Sequence, residues 1–306
     1  MSLIHGLSVD VEDWFHILES DRAPKPTQWD SLESRVTTST GRLLDLLDRY
    51  SIRATFFVLG WVAQRYPELV AQVAERGHEI GSHGHMHQMV SHLTADEFAR
   101  DLDRSLKVIS RASGCDVHAY RAPGFSITQN EFWAFEILAS RGIILDSSLF
   151  LCSHAHGGMS LKRNRPFELV LPNGRKLIEV PVVPCRLSRW NLPYSGGGYL
   201  RLLPAPMLKS LFKVAQRQQL PAIAYLHPRD LDPQQPRMAL PFLRSFKYYV
   251  GLKTMPQKLE QLFESFHFSC FQDVVQNTHF DEPLHVISSL NTSEVEFATK
   301  RSSLAH

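Results

Sequence analysis

Seven short apolar runs recur along the chain with longer amphipathic stretches between them, and this alternation constrains the fold more than any other feature. The runs are IHGLSVD (4–10), RATFFVLG (53–60), HEIGSH (78–83), VHAYRAP (117–123), IILDSS (143–148), IEVPVV (178–183) and PAIAYLH (221–227). Each reads as a strand by its length and apolar content. Several of the intervening stretches carry helix signals. Thr94 with Glu97, and Thr128 with Glu131, stand at capping-box spacing, and the second helix should stop at Gly142. Pro67 near a start and Gly77 at an end frame a third. Strand and helix in alternation predict a mainly parallel sheet with helices outside it. About seven strands favour a closed or nearly closed barrel over an open doubly wound sheet.

The chain has 306 residues, of which 43% are hydrophobic, so a full core is available. Barrels of this kind use roughly 200–250 residues as one unit, so the length does not demand two domains. We read residues 1–275 as a single domain. Residues 276–306 lose apolar periodicity and read as a loosely ordered tail.

A net charge of +2 provides no field that would announce a nucleic-acid or membrane partner. The basic cluster KRNR (162–165) reads as solvated loop. Cys115, Cys152, Cys185 and Cys270 form no C-x-x-C pair, which gives a cysteine zinc site no support. The opening MSLIHGLSVDVEDW shows no secretory pattern, and no apolar stretch approaches the ~18 residues of a membrane span. The expectation is a cytoplasmic protein, with peripheral attachment at the inner membrane left open.

Chemistry concentrates where the apolar runs finish. The first ends in DVED (10–13), the third in SHGHMH, the fourth in RAPGF (121–125), the fifth in DSS (146–148) and the last in LHPRD (226–230). In a parallel barrel those ends share one rim. In GSHGHMH (81–87) a helix would bring only His83 and His87 together, whereas an extended strand would align His85 with them. Two histidines and a carboxylate leave positions open for water, the pattern of a catalytic metal site. A second carboxylate can take a proton from that water and a further histidine can protonate a leaving group.

The ordered set SVDVED, RATFFVLG, HEIGSHGHMH, RAPGF and YLHP resembles the NodB-like polysaccharide deacetylases of carbohydrate esterase family 4, over roughly residues 4–275. The segments GGGYLRLLP, YLHPRDLDPQQPR and KYYVGLKTMPQKLEQLF further resemble the C-terminal extension, at about 185–275, of a subgroup found with exopolysaccharide gene clusters. The resemblance implies a distorted (β/α)7 barrel, one divalent metal, usually Zn2+, and removal of acetyl groups from N-acetylated sugars. It places metal ligands at His83 and His87, the general base at Asp10, its orienting arginine at Arg121 and the general acid at His227, with His85 pointing to the cleft or to solvent.

Where many members have two adjacent aspartates, Val11 follows Asp10, so the third ligand falls on Glu12, with Asp13 as the alternative. The carboxylate that orients the acidic histidine has no clear match, and Asp146 is the candidate. Trp14, Pro123, Gly124 and Phe125 are candidate sugar contacts, and Trp61 and Trp190 candidate stacking platforms. YSGGGYL (194–200) reads as a linker or as a loop whose backbone approaches a ligand. The expected partner is an N-acetylated glycan of a bacterial polysaccharide or its precursor, lipid-linked forms included. Competing readings are a cyclic amide hydrolase of the allantoinase kind and a non-catalytic glycan-binding protein.

Overall fold

A computed structural model describes residues 3–18, 20, 22–152, 157–187 and 190–286. The strands are β1 (Ile4–Val11), β2 (Thr55–Val58), β3 (Glu79–Ser82), β4 (Ala119–Tyr120), β5 (Leu145–Asp146), β6 (Phe167–Val170), β7 (Lys176–Glu179), β8 (Cys185–Leu187), β9 (Trp190–Leu192), β10 (Ile223–Leu226), β11 (His267–Ser269) and β12 (Asp281–His285). The seven apolar runs are the seven strands of a continuous parallel ladder, in the order β10-β1-β2-β3-β4-β5-β7. Beyond β7 the ladder continues through β6, antiparallel, and β12, parallel to β6. Among the described residues no pairing joins β10 to β12, so the ladder is open at that seam. β11 pairs with the first half of β1, and β8 and β9 form a separate hairpin.

The parallel ladder carries nearly unbroken apolar runs because both its faces are covered. In β2 every residue is buried, and β1 is buried from His5 to Val11. One core cluster gathers Val9, Val11, Phe56 and Val58 with Leu43, Leu47, Val62 and Val70 from the covering helices. Each such side chain, fully buried, stabilises the fold by about 1.5–3 kcal/mol.

Helix ends follow the chemistry of the sequence. Thr94 and Glu97 form the reciprocal capping box of helix Ala95–Ser113, which closes on Gly114 in the left-handed region. Pro67 opens helix Pro67–Glu75, and Gly77 follows it at φ 78°. Thr128 and Glu131 also form a capping box, but it opens the single 3-10 turn Gln129–Glu131, and the α-helix runs only over Trp133–Ser140. Ordered structure also reaches past residue 275. Helix Phe271–Asn277 and β12 occupy the first part of the stretch expected to be a tail, while residues 287–306 lie outside the described residues. No described helix is long and apolar enough to cross a membrane.

Candidate active site

Because the seven strands run parallel, their carboxyl ends meet on one rim, and the polar strand endings converge there. Asp10 is the last polar residue of β1, His83 follows β3, Arg121 follows β4 and His227 follows β10. Asp10, Glu12, His83, His87 and His227 line one cleft with Gly124, Phe125, His16, Tyr225, Arg229, Arg244 and Tyr248. The cleft holds about 210 Å³. That is less than the roughly 300–1,000 Å³ of a pocket that swallows a drug-sized ligand, so the cleft has room for a small reacting group.

Arg121 is completely buried, and every part of its guanidinium is engaged. Nη1 donates to Asp10 Oδ1 and to Ser8 Oγ, both at 2.8 Å, while Nε and Nη2 donate to the carbonyl and hydroxyl of Ser147 at 3.1 and 2.9 Å. The ring of Phe57 lies 4.4 Å from the guanidinium carbon. A buried arginine is tolerable only with its charge paired and its nitrogens hydrogen-bonded, and here each of the three nitrogens donates at least one bond. The ion pair therefore fixes one face of the Asp10 carboxylate. Among the described residues Oδ2 of Asp10 receives no hydrogen bond.

Glu12 and Asp13, the two candidates for a carboxylate ligand, are turned to different tasks. Asp13 accepts hydrogen bonds from the backbone amides of Trp14, Arg35 and Val36 and from the Ser34 hydroxyl. Arg35 and Val36 begin helix Val36–Arg49, so Asp13 satisfies amides that the helix itself leaves open. Glu12 faces the cleft, with Oε2 2.8 Å from His87 Nε2 and Oε1 2.9 Å from His227 Nε2. Burial raises its pKa, but His87 and His227 outweigh this and hold it well below the usual carboxylate range.

His83 and His87 do meet, with ring centroids 5.4 Å apart, but not on a helix. The chain turns sharply instead, with Gly84 at φ 74° and His87 itself at φ 52°. Asp101 holds the turn by accepting the amides of His85 and Met86 at 2.7 and 3.1 Å. His83 Nδ1 bonds the carbonyl of Arg121 at 2.8 Å, which leaves Nε2 for the cleft. Burial pushes the His83 pKa down to about 4, so this ring is neutral and able to ligate. The expectation for His85 is corrected. It is 1% exposed and packs behind the turn, where a Cβ on Gly60 would stand 2.3 Å from its Nδ1.

The carboxylate beside the acidic histidine is also corrected. Asp146 accepts the amide and hydroxyl of Ser148 at 2.8 and 2.9 Å and shares a hydrogen bond with Glu179, its neighbour in register on β7. Asp230 is the residue that reaches His227, with Oδ2 3.3 Å from Nδ1. Asp230 is anchored in turn by Arg201, at 2.8 Å. Burial lowers the His227 pKa, but Glu12 and Asp230 outweigh it and the value is pushed up to about 9. Asp230 was legible only as the polar end of HPRD; its place one 3-10 turn beyond His227, in Pro228–Leu231, gives it reach.

The aromatic candidates divide. Phe125 and Gly124 line the cleft, and Pro123 is buried behind them. Trp14 is buried in a cluster with Phe15 and Trp29, its ring nitrogen donating to the Glu33 carbonyl at 2.9 Å, and Trp61 packs edge-on against Phe15, His16 and Trp29. The Trp190 side chain lies outside the described residues. The glycines of YSGGGYL come close to protein: a Cβ on Gly197 would stand 2.2 Å from Asp230 Oδ2, and one on Gly196 2.5 Å from the Tyr225 hydroxyl. Tyr248 and Arg229, which sequence reading passed over, stack at 4.1 Å on the far wall of the cleft.

The donor set fits a divalent ion. Glu12, His83 and His87 supply one oxygen and two imidazoles, the composition of a hydrolytic zinc site. Glu12 Oε2 is buried with no aligned hydrogen-bond donor, although His87 Nε2 stands 2.8 Å away. A buried carboxylate oxygen without an aligned donor, beside an imidazole nitrogen, suits a cation that both atoms coordinate from one side. Among the described residues no three such side chains already surround a common ligating point.

A parallel α/β sheet with a carboxylate–arginine pair, a nitrogen–oxygen donor set and a histidine–carboxylate pair on its carboxyl rim defines a hydrolase-like class of site. Within that class, residues 24–138 match the polysaccharide deacetylase family model, and residues 147–276 match a domain of unknown function, DUF3473. The N-terminal part of the chain is thus similar to the polysaccharide deacetylases. It is 32% identical over 98 residues to a peptidoglycan-N-acetylglucosamine deacetylase of Bacillus cereus, covering 32% of this chain and 36% of that protein. It is 33% identical over 85 residues to the peptidoglycan-N-acetylmuramic acid deacetylase PdaC of Bacillus subtilis, covering 28% of this chain and 18% of that protein. The matched stretches thus span about a third or less of these relatives. A crystal structure described as a putative polysaccharide deacetylase from Mycobacterium smegmatis shares the fold, with a TM-score of 0.60, 18% identity and 91% of each chain covered.

Proposed function

We propose that the protein is a metal-dependent N-deacetylase acting on an N-acetylated sugar of a bacterial polysaccharide or its precursor. The observation that carries this reading is the placement of Asp10 with Arg121 and of His227 with Asp230 in one cleft, with Glu12, His83 and His87 beside them. Glu12, His83 and His87 would hold the divalent ion, most simply Zn2+, which supplies polarisation of the acetamide carbonyl and acidification of water.

The remaining chemistry belongs to the chain. Asp10, oriented through Oδ1 by Arg121, accepts a proton from the water that attacks the carbonyl carbon. His227, oriented by Asp230, gives a proton to the sugar nitrogen as the carbon–nitrogen bond breaks, because an amide nitrogen leaves poorly without one. The products are acetate and a free amino sugar. Gly124 and Phe125 border the space in which the acetyl group would sit.

The test is to supply the purified protein with N-acetylglucosamine oligomers and, in parallel, with small cyclic amides such as allantoin, measuring acetate, new primary amine and ring opening. Equal amounts of acetate and amine from the oligomers support the reading. Ring opening alone would assign a cyclic amide hydrolase, and oligomer binding without acetate would assign a binding protein.

A further inference from the structure

Helix Phe242–Tyr249, with sequence FLRSFKYY, is inverted relative to an ordinary surface helix. Phe242 is 83% exposed, Leu243 72% and Phe246 50%, and with Lys247 they form one outward stripe at i, i+1, i+4 and i+5. The inward side is firmly held. Tyr249 is buried with Leu240 and Leu252, its hydroxyl accepts the Met238 amide at 2.9 Å, and Arg201 Nη1 donates to the carbonyls of Tyr248 and Val250 at 2.8 and 3.0 Å. The stripe is therefore presented by a fixed helix rather than by a frayed one. Isolated exposed apolar residues are ordinary, but three large ones on one helical face mark an interaction surface.

Charge indicates what covers it. Residues 233–259 contain Arg237, Arg244, Lys247, Lys253 and Lys258 and no acidic residue. Lys247 lies on the stripe itself, and Arg237 and Lys253 are exposed in the segments that flank the helix. An apolar stripe that carries a lysine and is flanked by exposed cations suits the interface of an anionic bilayer, where basic residues are drawn to the anionic headgroups and the apolar side chains enter the headgroup boundary. A protein partner of matching acidity is the competing occupant, and a second copy of this chain would bring a like-charged patch against its own.

Position gives the surface a purpose. Arg244 and Tyr248, from the other side of the same helix, line the cleft. We propose that helix Phe242–Tyr249 docks the protein on an anionic membrane surface and so holds the mouth of the cleft at the level of the headgroups. That the cleft there meets a glycan carried on a membrane lipid rests on the deacetylase reading; the docking itself does not.

The experiment is co-sedimentation of the full chain with vesicles of phosphatidylcholine mixed with phosphatidylglycerol and with vesicles of phosphatidylcholine alone. Alongside it run the variant F242S/L243S/F246S, the variant K247E/K253E, and acetate release from soluble N-acetylglucosamine oligomers. Docking predicts binding to the mixed vesicles that weakens as salt rises, and a drop of about tenfold or more in each variant. Soluble-substrate turnover should stay unchanged in both variants, which separates failure of docking from failure of the deacetylase reading. Wild-type protein that stays in the supernatant with the mixed vesicles overturns the proposal, as does binding unaffected by either variant. A dimer in sedimentation equilibrium that the triple serine variant dissociates, with no vesicle binding, would reassign the stripe to self-association.

Discussion

The carboxylate of Asp230 lies 3.3 Å from Nδ1 of His227, only three residues earlier in the chain, and also accepts the backbone amide of His227 at 2.9 Å. One side chain thus orients the ring and closes the turn that carries it. Asp230→Asn keeps the shape and removes the charge, so kcat should fall about tenfold or more, and thermal stability should fall too because Arg201 loses its buried partner. Gly197→Ala tests the same contact from the other side, because its Cβ would fall 2.2 Å from Asp230 Oδ2. It should lower kcat without changing KM in steady-state kinetics. An unchanged kcat in both variants would remove Asp230 from the positioning role.

The three histidines of GSHGHMH should separate cleanly in metal content. Elemental analysis of protein purified without chelator or metal-affinity tag should find about one zinc-like ion per wild-type chain. His83→Ala and His87→Ala should lose it. His85→Ala should keep it, since His85 is buried behind the turn. Removal of the ion by a chelator should abolish turnover and its return should restore it.

Arg121 and Asp10 form a buried ion pair, at 0% and 3% exposure. Arg121→Met would leave the Asp10 carboxylate buried and unpaired, a change that costs about 3–5 kcal/mol. Urea denaturation should show the loss. Asp10→Asn keeps an acceptor for Arg121 Nη1 but leaves the buried guanidinium charge unpaired, so it too should lower stability.

Asp146 and Glu179 face each other in register on β5 and β7, both fully buried. Burial, then Asp146 itself, pushes the Glu179 pKa well above the carboxylate range, so Glu179 keeps its proton and donates to Asp146. A raised folded-state pKa means that the folded protein binds more protons than the unfolded one above the ordinary carboxylate pKa. The stability this group contributes is full at low pH and is lost as pH rises toward the raised value. Thermal denaturation should therefore show Glu179→Gln gaining on the wild type from about pH 5 upward. A constant difference across that range would contradict a protonated Glu179.

The seven strands of the parallel ladder were legible because each lies in a short, mostly buried apolar run. β6 and β12 were not, because partly exposed strands outside that ladder lack the continuous run; β12 reads DEPLH, with a proline and two acids. The strand endings pointed to the rim residues, and the structure does bring Asp10, Glu12, His83, His87 and His227 to one cleft. Spacing alone could not show that Asp13 serves the start of helix Val36–Arg49, or that left-handed turns at Gly84 and His87 rather than a helix join the two histidines. Asp146 drew attention as a strand ending, yet it is paired with Glu179, a contact between residues far apart in sequence. Arg229 and Tyr248 lie in quoted stretches, LHPRD and KYYVG, but only the fold brings them together with Arg244 on one wall of the cleft.

The most direct measurement of the central claim is acetate release from an N-acetylated sugar oligomer by the wild type and by Asp10→Asn, with metal content and melting temperature recorded for both. The account predicts equimolar acetate and amine from the wild type. It predicts a loss of about 10²-fold or more in the variant, with the metal and the fold retained. Turnover that survives Asp10→Asn, in protein that is folded and metal-loaded, would contradict it.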